Sequence, residues 1–201
     1  MSTLTFEPES HTYQVNGCPV PSVTQVIGAF SQLIDYSMVP EFMLSFAANR
    51  GTTAHKATEL YDMGDLDEEG TREDDEQRTD SIRLMPYVDA WKQFRAETGF
   101  VPSIIEKRLH HPRYNYGGTV DRMWILYGEL AVVEIKTTAR LWPATALQVA
   151  AYQEAYNHGR PAKERAKRRY AVQLRPDGTY RLEQYEDPAD WSCFLALLTL
   201  Q

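Results

Sequence analysis

The apolar pattern changes period near Val101, and that change constrains the fold more than any other feature of the chain. Three successive segments, Ser103 to Leu109, Tyr116 to Leu126 and Glu129 to Lys136, are rich in strand-forming residues. A helical pattern over about 80–98, stopped by Gly99, precedes them. Another follows from Pro143 to His158: Pro143 suits a first helical turn, and Gly159 and Pro161 provide a stop signal. Tyr170 to Leu174 and Tyr180 to Tyr185 flank Pro176-Asp177-Gly178 as a hairpin, and a last helix starts at Pro188. The core order is α-β-β-β-α-β, which predicts an α/β domain with a central mixed sheet flanked by helices. With 201 residues and no internal repeat, the expectation is one domain over 1–201.

Ahead of this core, His11 to Val15, Asn16-Gly17 and Pro19-Val20 predict a hairpin, because Asn-Gly favours the tight turns that join antiparallel strands. Ser22 reads as an N-cap, and helices are expected over 22–30, 40–49 and 52–62, with Pro40 at one start and Thr52 or Thr53 as another cap. Residues 63–79 are acidic, contain glycine and lack an apolar period, so a flexible insertion is expected there.

The net charge of −7 argues at first against a partner as acidic as DNA. Its distribution reverses that reading. Ten of the acids, from Asp62 to Asp80, fall in residues 62–80 against only Arg72 and Arg78, so the rest of the chain is close to neutral. Within that remainder Lys163, Arg165, Lys167, Arg168 and Arg169 form a basic cluster that suits either a phosphate backbone or a solvated loop. Cys18 and Cys193 lack a metal-type spacing and read as reduced thiols. No stretch approaches the ~18 apolar residues of a membrane span, and the first residues lack a leader pattern, so a cytoplasmic protein without membrane contact is expected.

If the second and third strands turn through Tyr127-Gly128, Asp121 stands opposite Glu134. Like charges opposed on a sheet destabilise it unless a cation lies between them, and oxygen ligands favour a hard divalent ion such as Mg²⁺ or Mn²⁺. Glu134 and Lys136, two apart on one strand, share a face, so a metal-binding carboxylate and an ammonium group aim at one spot. Both acids and the lysine interrupt otherwise apolar strands, where an unpaired charge is costly. Gln148 and Tyr152, four apart, share one helical face and can position the lysine, a water or a phosphate. Glu106 on the preceding strand can reach a second metal or pair with Lys107 and Arg108. His110 and His111, adjacent on a strand, point opposite ways and cannot chelate together. His11 and His158 lie beside turn signals.

Taken in order, Gly118-Thr119-Val120-Asp121, Val132-Val133-Glu134-Ile135-Lys136-Thr137 and Gln148-x-x-x-Tyr152 resemble the motifs of RecB-like and phage lambda-type nucleases of the PD-(D/E)xK superfamily. Arg50-Gly51-Thr52-Thr53-Ala54-His55 resembles the helix that carries an additional histidine ligand in that group, and Pro21-Ser22-Val23-Thr24 is similar to its phage members. The resemblance spans residues 50 to about 156 and departs at Val120, where the superfamily name has proline. It implies a restriction-endonuclease-like core in which Asp121, Glu134, the Ile135 carbonyl and His55 hold one or two Mg²⁺ or Mn²⁺ ions, Lys136 handles the water, and Gln148 and Tyr152 assist.

The function expected is therefore metal-dependent exonuclease action on DNA in phage-type recombination or end processing, with a single-strand annealing protein as partner. The sequence leaves a homo-oligomer open. A single-strand- or structure-specific nuclease is the nearest alternative. A non-catalytic DNA-binding module is disfavoured, because a pure binder does not need buried like charges.

Overall fold

In the computed structural model residues 3–8, 10–29, 39–77 and 83–201 are described. Strands β4 (Ile104–His111), β5 (Tyr116–Leu126), β6 (Glu129–Lys136), β7 (Arg168–Leu174) and β8 (Tyr180–Gln184) form one sheet in that order. All neighbours are antiparallel except β6 and β7, which run parallel. A parallel pair needs a long crossover, and helix α5 (Pro143–Asn157) supplies it. The chain is thus an α/β protein with a mixed five-stranded sheet flanked by helices, in the α-β-β-β-α-β order expected.

Each face of the sheet has its own core. On one, α1 (Val23–Gly28), α5 and α6 (Ala189–Thr199) bury Val26, Val149 and Phe194 against Val120, Met123 and Val132. On the other, α2 (Glu41–Met63) and α4 (Met85–Thr98) bury Ala54, Trp91 and Phe94 against Val133, Ile135 and Val172. The two-residue alternation of β6 sends Val132 to the first core and Ala131, Val133 and Ile135 to the second.

The β5–β6 turn has the expected register. Tyr127 and Gly128 both adopt positive φ, 53° and 82°, as a two-residue hairpin with right-handed strand twist requires, and Leu126 pairs with Glu129 and Arg122 with Val133. The Asn16-Gly17 turn, with φ of 52° and 80°, joins β2 (Thr12–Val15) to β3 (Cys18–Val20). A further strand, β1 (Leu4–Glu7), pairs with β2 and completes a three-stranded sheet that the sequence reading does not include.

Three local expectations change. Residues 41–63 form one helix where two were expected. Thr52 and Thr53 do not cap: their hydroxyls donate to the carbonyls of Ala48 and Asn49 one turn back, at 3.1 and 2.8 Å, inside a continuous helix. The acidic stretch is not an irregular excursion, because Glu68–Gln77 form helix α3. Asp75 is buried there and accepts from the backbone N–H groups of Leu84 and Met85, at 2.8 and 2.7 Å, satisfying otherwise unpaired amides at the start of α4. Residues 30 and 80–82, at the ends of two expected helices, lie outside the described residues, as do 78 and 79 of the acidic stretch. Ser22 caps α1 as expected, in a reciprocal capping box with Gln25.

Cys18 and Cys193 are free thiols, both exposed. Among the described residues no helix is long and apolar enough to cross a membrane.

Candidate metal centre and catalytic cleft

A cleft of about 510 Å³ opens where α2 crosses the sheet beside β4, β5 and β6, and the small N-terminal sheet closes one side of it. Thr52, His55, Lys56 and Glu59 line it from α2, at the three- and four-residue spacings that put side chains on one helical face. Glu106, Asp121, Glu134 and Lys136 line it from the strands, and Gln148 and Tyr152 from α5. Every residue named from the sequence as a catalytic or metal-ligand candidate by its side chain meets here. The Ile135 carbonyl joins them, lying 2.9 Å from Nε2 of His55.

His55, Glu106 and Asp121 each offer a ligand atom, and these atoms lie within 4.8 Å of one another, a group that could hold a metal ion. Nδ1 of His55 is 3.5 Å from Oδ2 of Asp121, and that oxygen accepts the Ile135 N–H at 2.7 Å. Glu106 stands opposite Asp121, since its neighbours Ile105 and Lys107 pair with Arg122 and Val120. Its φ of 47° lies in the left-handed region, uncommon for a non-glycine residue within a strand and costing of order ~1–3 kcal/mol. Strain of that kind persists only where the surroundings enforce it. Here Nη1 of Arg122 donates to Glu106 at 2.9 Å.

The grouping differs in one respect from that expected. Glu106 joins His55 and Asp121 in the group that could hold a metal, whereas Glu134 stands beside it. Oε1 of Glu134 accepts from Nζ of Lys136 at 2.7 Å and from Nε2 of Gln148 at 2.8 Å. Oε1 of Gln148 in turn accepts from Lys136 at 2.9 Å, and its amide also donates to the Tyr152 hydroxyl at 3.1 Å. The second carboxylate oxygen of Glu134 is buried without a hydrogen-bond partner among the described residues. An orphaned carboxylate oxygen next to an imidazole and two further carboxylates is what an oxygen-seeking cation would satisfy.

Electrostatics mark the same place. Burial works against a charged His55, but the Asp121 carboxylate, assisted by Glu134, outweighs it and raises the imidazole to about 9. Burial, and then the Asp121 charge, push both Glu106 and Glu134 up to about 7. Burial also opposes ionisation of Asp121, yet His55, Lys136 and the Ile135 N–H hold it below its ordinary value. Three carboxyl groups thus crowd together beside His55, Lys136 and Arg122, yet two of them are still raised, and a divalent ion would relieve that crowding.

Several structural partners have a weaker sequence signal. Arg122 is buried without solvent contact: Nε donates to Asp62 at 2.6 Å and Nη1 to the Asp121 carbonyl at 2.7 Å. Its place inside an apolar strand is the same kind of signal that singles out Asp121. Tyr13 shares a 2.6 Å hydroxyl hydrogen bond with Thr119, and no local pattern points to it. Gly118 has a tertiary reason: a Cβ there would lie 2.6 Å from the Tyr152 ring.

The basic cluster does not reach this cleft. Arg168 pairs across the sheet with Ala131, at the opposite end of β6 from Lys136. Arg168 binds Glu129 and Glu186, Lys167 approaches Glu129 at 3.6 Å, and Arg169 binds Asp190 at 3.0 Å. His111 is buried among Tyr114, Tyr116, His158 and Trp191, away from the cleft. Set against known proteins, the chain matches no family model and no curated protein.

Proposed function

We propose that this chain is a metal-dependent deoxyribonuclease with a restriction-endonuclease-like core of the PD-(D/E)xK type, acting as an exonuclease in phage-type recombination or DNA end processing. The observation that carries this reading is the convergence, in one cleft, of His55, Glu106 and Asp121 with the Glu134–Lys136 pair. The order of α4, β4, β5, β6, α5 and β7 agrees with it.

Bound Mg²⁺ or Mn²⁺, held by His55, Glu106 and Asp121 with the open oxygen of Glu134 alongside, would supply charge neutralisation of a phosphodiester and an acidified water. The chain's own groups do the rest. Glu134 and Gln148 hold Lys136 from two sides, so its ammonium group is fixed where it can orient the attacking water and move a proton. Tyr152 steadies the Gln148 amide. The mixed donor set favours Mn²⁺ over Mg²⁺ through its imidazole nitrogen.

The substrate is DNA, the compartment the cytoplasm, and a single-strand annealing protein is the expected companion. End-labelled linear, nicked and single-stranded DNA, incubated with Mg²⁺, Mn²⁺, Ca²⁺ or EDTA, test the proposal. Nucleotide release from linear DNA in Mg²⁺ or Mn²⁺, abolished by EDTA, is the expected result. Absence of hydrolysis with every metal would overturn it.

A further inference from the structure

The cleft has a second wall that metal-assisted hydrolysis does not use. Phe6 of β1, His11 and Tyr13 gather their rings there. Phe6 and His11 meet edge to face at 5.0 Å, and Phe6 and Tyr13 lie 4.7 Å apart. The Arg108 guanidinium carbon lies 5.1 Å from the Phe6 ring centroid. All four line the cleft; Tyr13 is buried, Phe6 half-buried, and His11 and Arg108 are exposed.

This wall is tied to the chemistry by two short paths, one through a hydrogen bond and one along a strand. Tyr13 bonds Thr119, two residues before Asp121 on β5, and Arg108 follows Glu106 by two residues on β4. Two strand residues span roughly 6.6 Å, so the rings stand beside the metal-holding group.

We propose that Phe6, His11, Tyr13 and Arg108 form a nucleobase subsite that receives the unpaired base next to the bond being cut. The inference rests on the nuclease reading above and names its substrate as a single-stranded end. A phosphate alone would call for charge, and the wall offers the Phe6 and His11 rings, backed by the buried Tyr13, with one planar cation. Aromatic rings and guanidinium planes stack on any base, without sequence preference. Bases inside a duplex have both faces covered by their neighbours, so only an unstacked base can lie against such a wall. Arg108 layers on Phe6 and adds a positive charge that a neighbouring phosphate can use.

The test measures binding of the full chain, in Ca²⁺ without Mg²⁺ or Mn²⁺, to a labelled oligothymidylate and to an abasic strand of equal length. Both carry the same phosphates, so their difference reports the base. The wild-type chain should bind the oligothymidylate about tenfold more tightly. His11→Ala should narrow that gap. Arg108→Lys, which keeps the charge and loses the plane, should also narrow it while holding abasic-strand affinity within about twofold. Equal binding of both strands by a wild-type chain that hydrolyses DNA in Mn²⁺ overturns the subsite and leaves the nuclease reading standing. A chain that neither binds nor hydrolyses DNA overturns both.

Discussion

Arg122 and Glu106 are joined across neighbouring strands by a 2.9 Å hydrogen bond, so a guanidinium with no solvent contact holds a carboxylate of the candidate metal group. The same guanidinium binds Asp62, itself held by the indole of Trp91 at 2.9 Å and by Arg95 at 2.7 Å. The left-handed backbone of Glu106 is thereby anchored through β5 to helices α2 and α4.

Replacing Arg122 by Met leaves Glu106 without its buried counter-charge and Asp62 with fewer partners. Removing one member of a buried ion network costs about 3–5 kcal/mol. Urea denaturation of Arg122→Met should show a loss of that order; a loss under about 1 kcal/mol would mean that the network contributes little to stability.

Lys136→Ala should lower DNA hydrolysis by about two orders of magnitude or more, the contribution expected of a positioned acid–base group. Mn²⁺ affinity, read by calorimetry, should change little, because the Lys136 ammonium has no lone pair to offer a cation. Hydrolysis within a few-fold of wild type would remove the lysine from the chemistry.

Gly118→Ala introduces a Cβ 2.6 Å from the Tyr152 ring and 3.2 Å from Cγ2 of Val23. Overpacking a filled core typically costs about 1–3 kcal/mol. The displaced ring carries the hydroxyl that steadies Gln148, so hydrolysis should fall by more than the loss of folded protein explains. Thermal melts and rates on the same preparation separate the two effects.

Asp75→Ala tests the helical reading of the acidic stretch. Its carboxylate satisfies two amides at the start of α4, and loss of such a cap costs about 0.5–2 kcal/mol. Chemical denaturation should register that loss. An unchanged midpoint would restore the flexible insertion expected from the sequence.

His111 sets an acid limit. Burial first, and then His158, lower its imidazole to about 4. Between that value and the unfolded value of roughly 6.5, the unfolded chain binds the proton and the folded chain does not. The stabilising contribution is therefore complete above about 6.5 and lost as pH falls through about 4. His111→Gln should flatten this part of a stability-against-pH curve, and an unaltered acid limb would assign the loss to other groups.

Much of the centre is local and therefore legible in the sequence. The two-residue Tyr127-Gly128 turn sets the β5–β6 register, which brings Asp121 alongside Glu134. Strand alternation puts Glu134 and Lys136 on one face, and helical spacing aligns Gln148 with Tyr152, all within spans of a few residues. Chain geometry alone determines such relationships.

What only the tertiary structure decided lies between distant segments. His55 reaches the Ile135 carbonyl from 80 residues away because buried Ala54, Ala57 and Thr58 seat α2 beside the sheet. Glu106 joins His55 and Asp121 in a group that could hold a metal, since Arg122 and Asp62 form the buried network that receives it. Asp75 orders an acidic stretch with no apolar period, through a cap on the next helix. Local pattern fixes which face a side chain takes along its own element. Only the burial of whole apolar faces against one another determines which distant faces meet, and here that meeting gathers His55, Glu106, Asp121, Glu134 and Lys136 into one cleft.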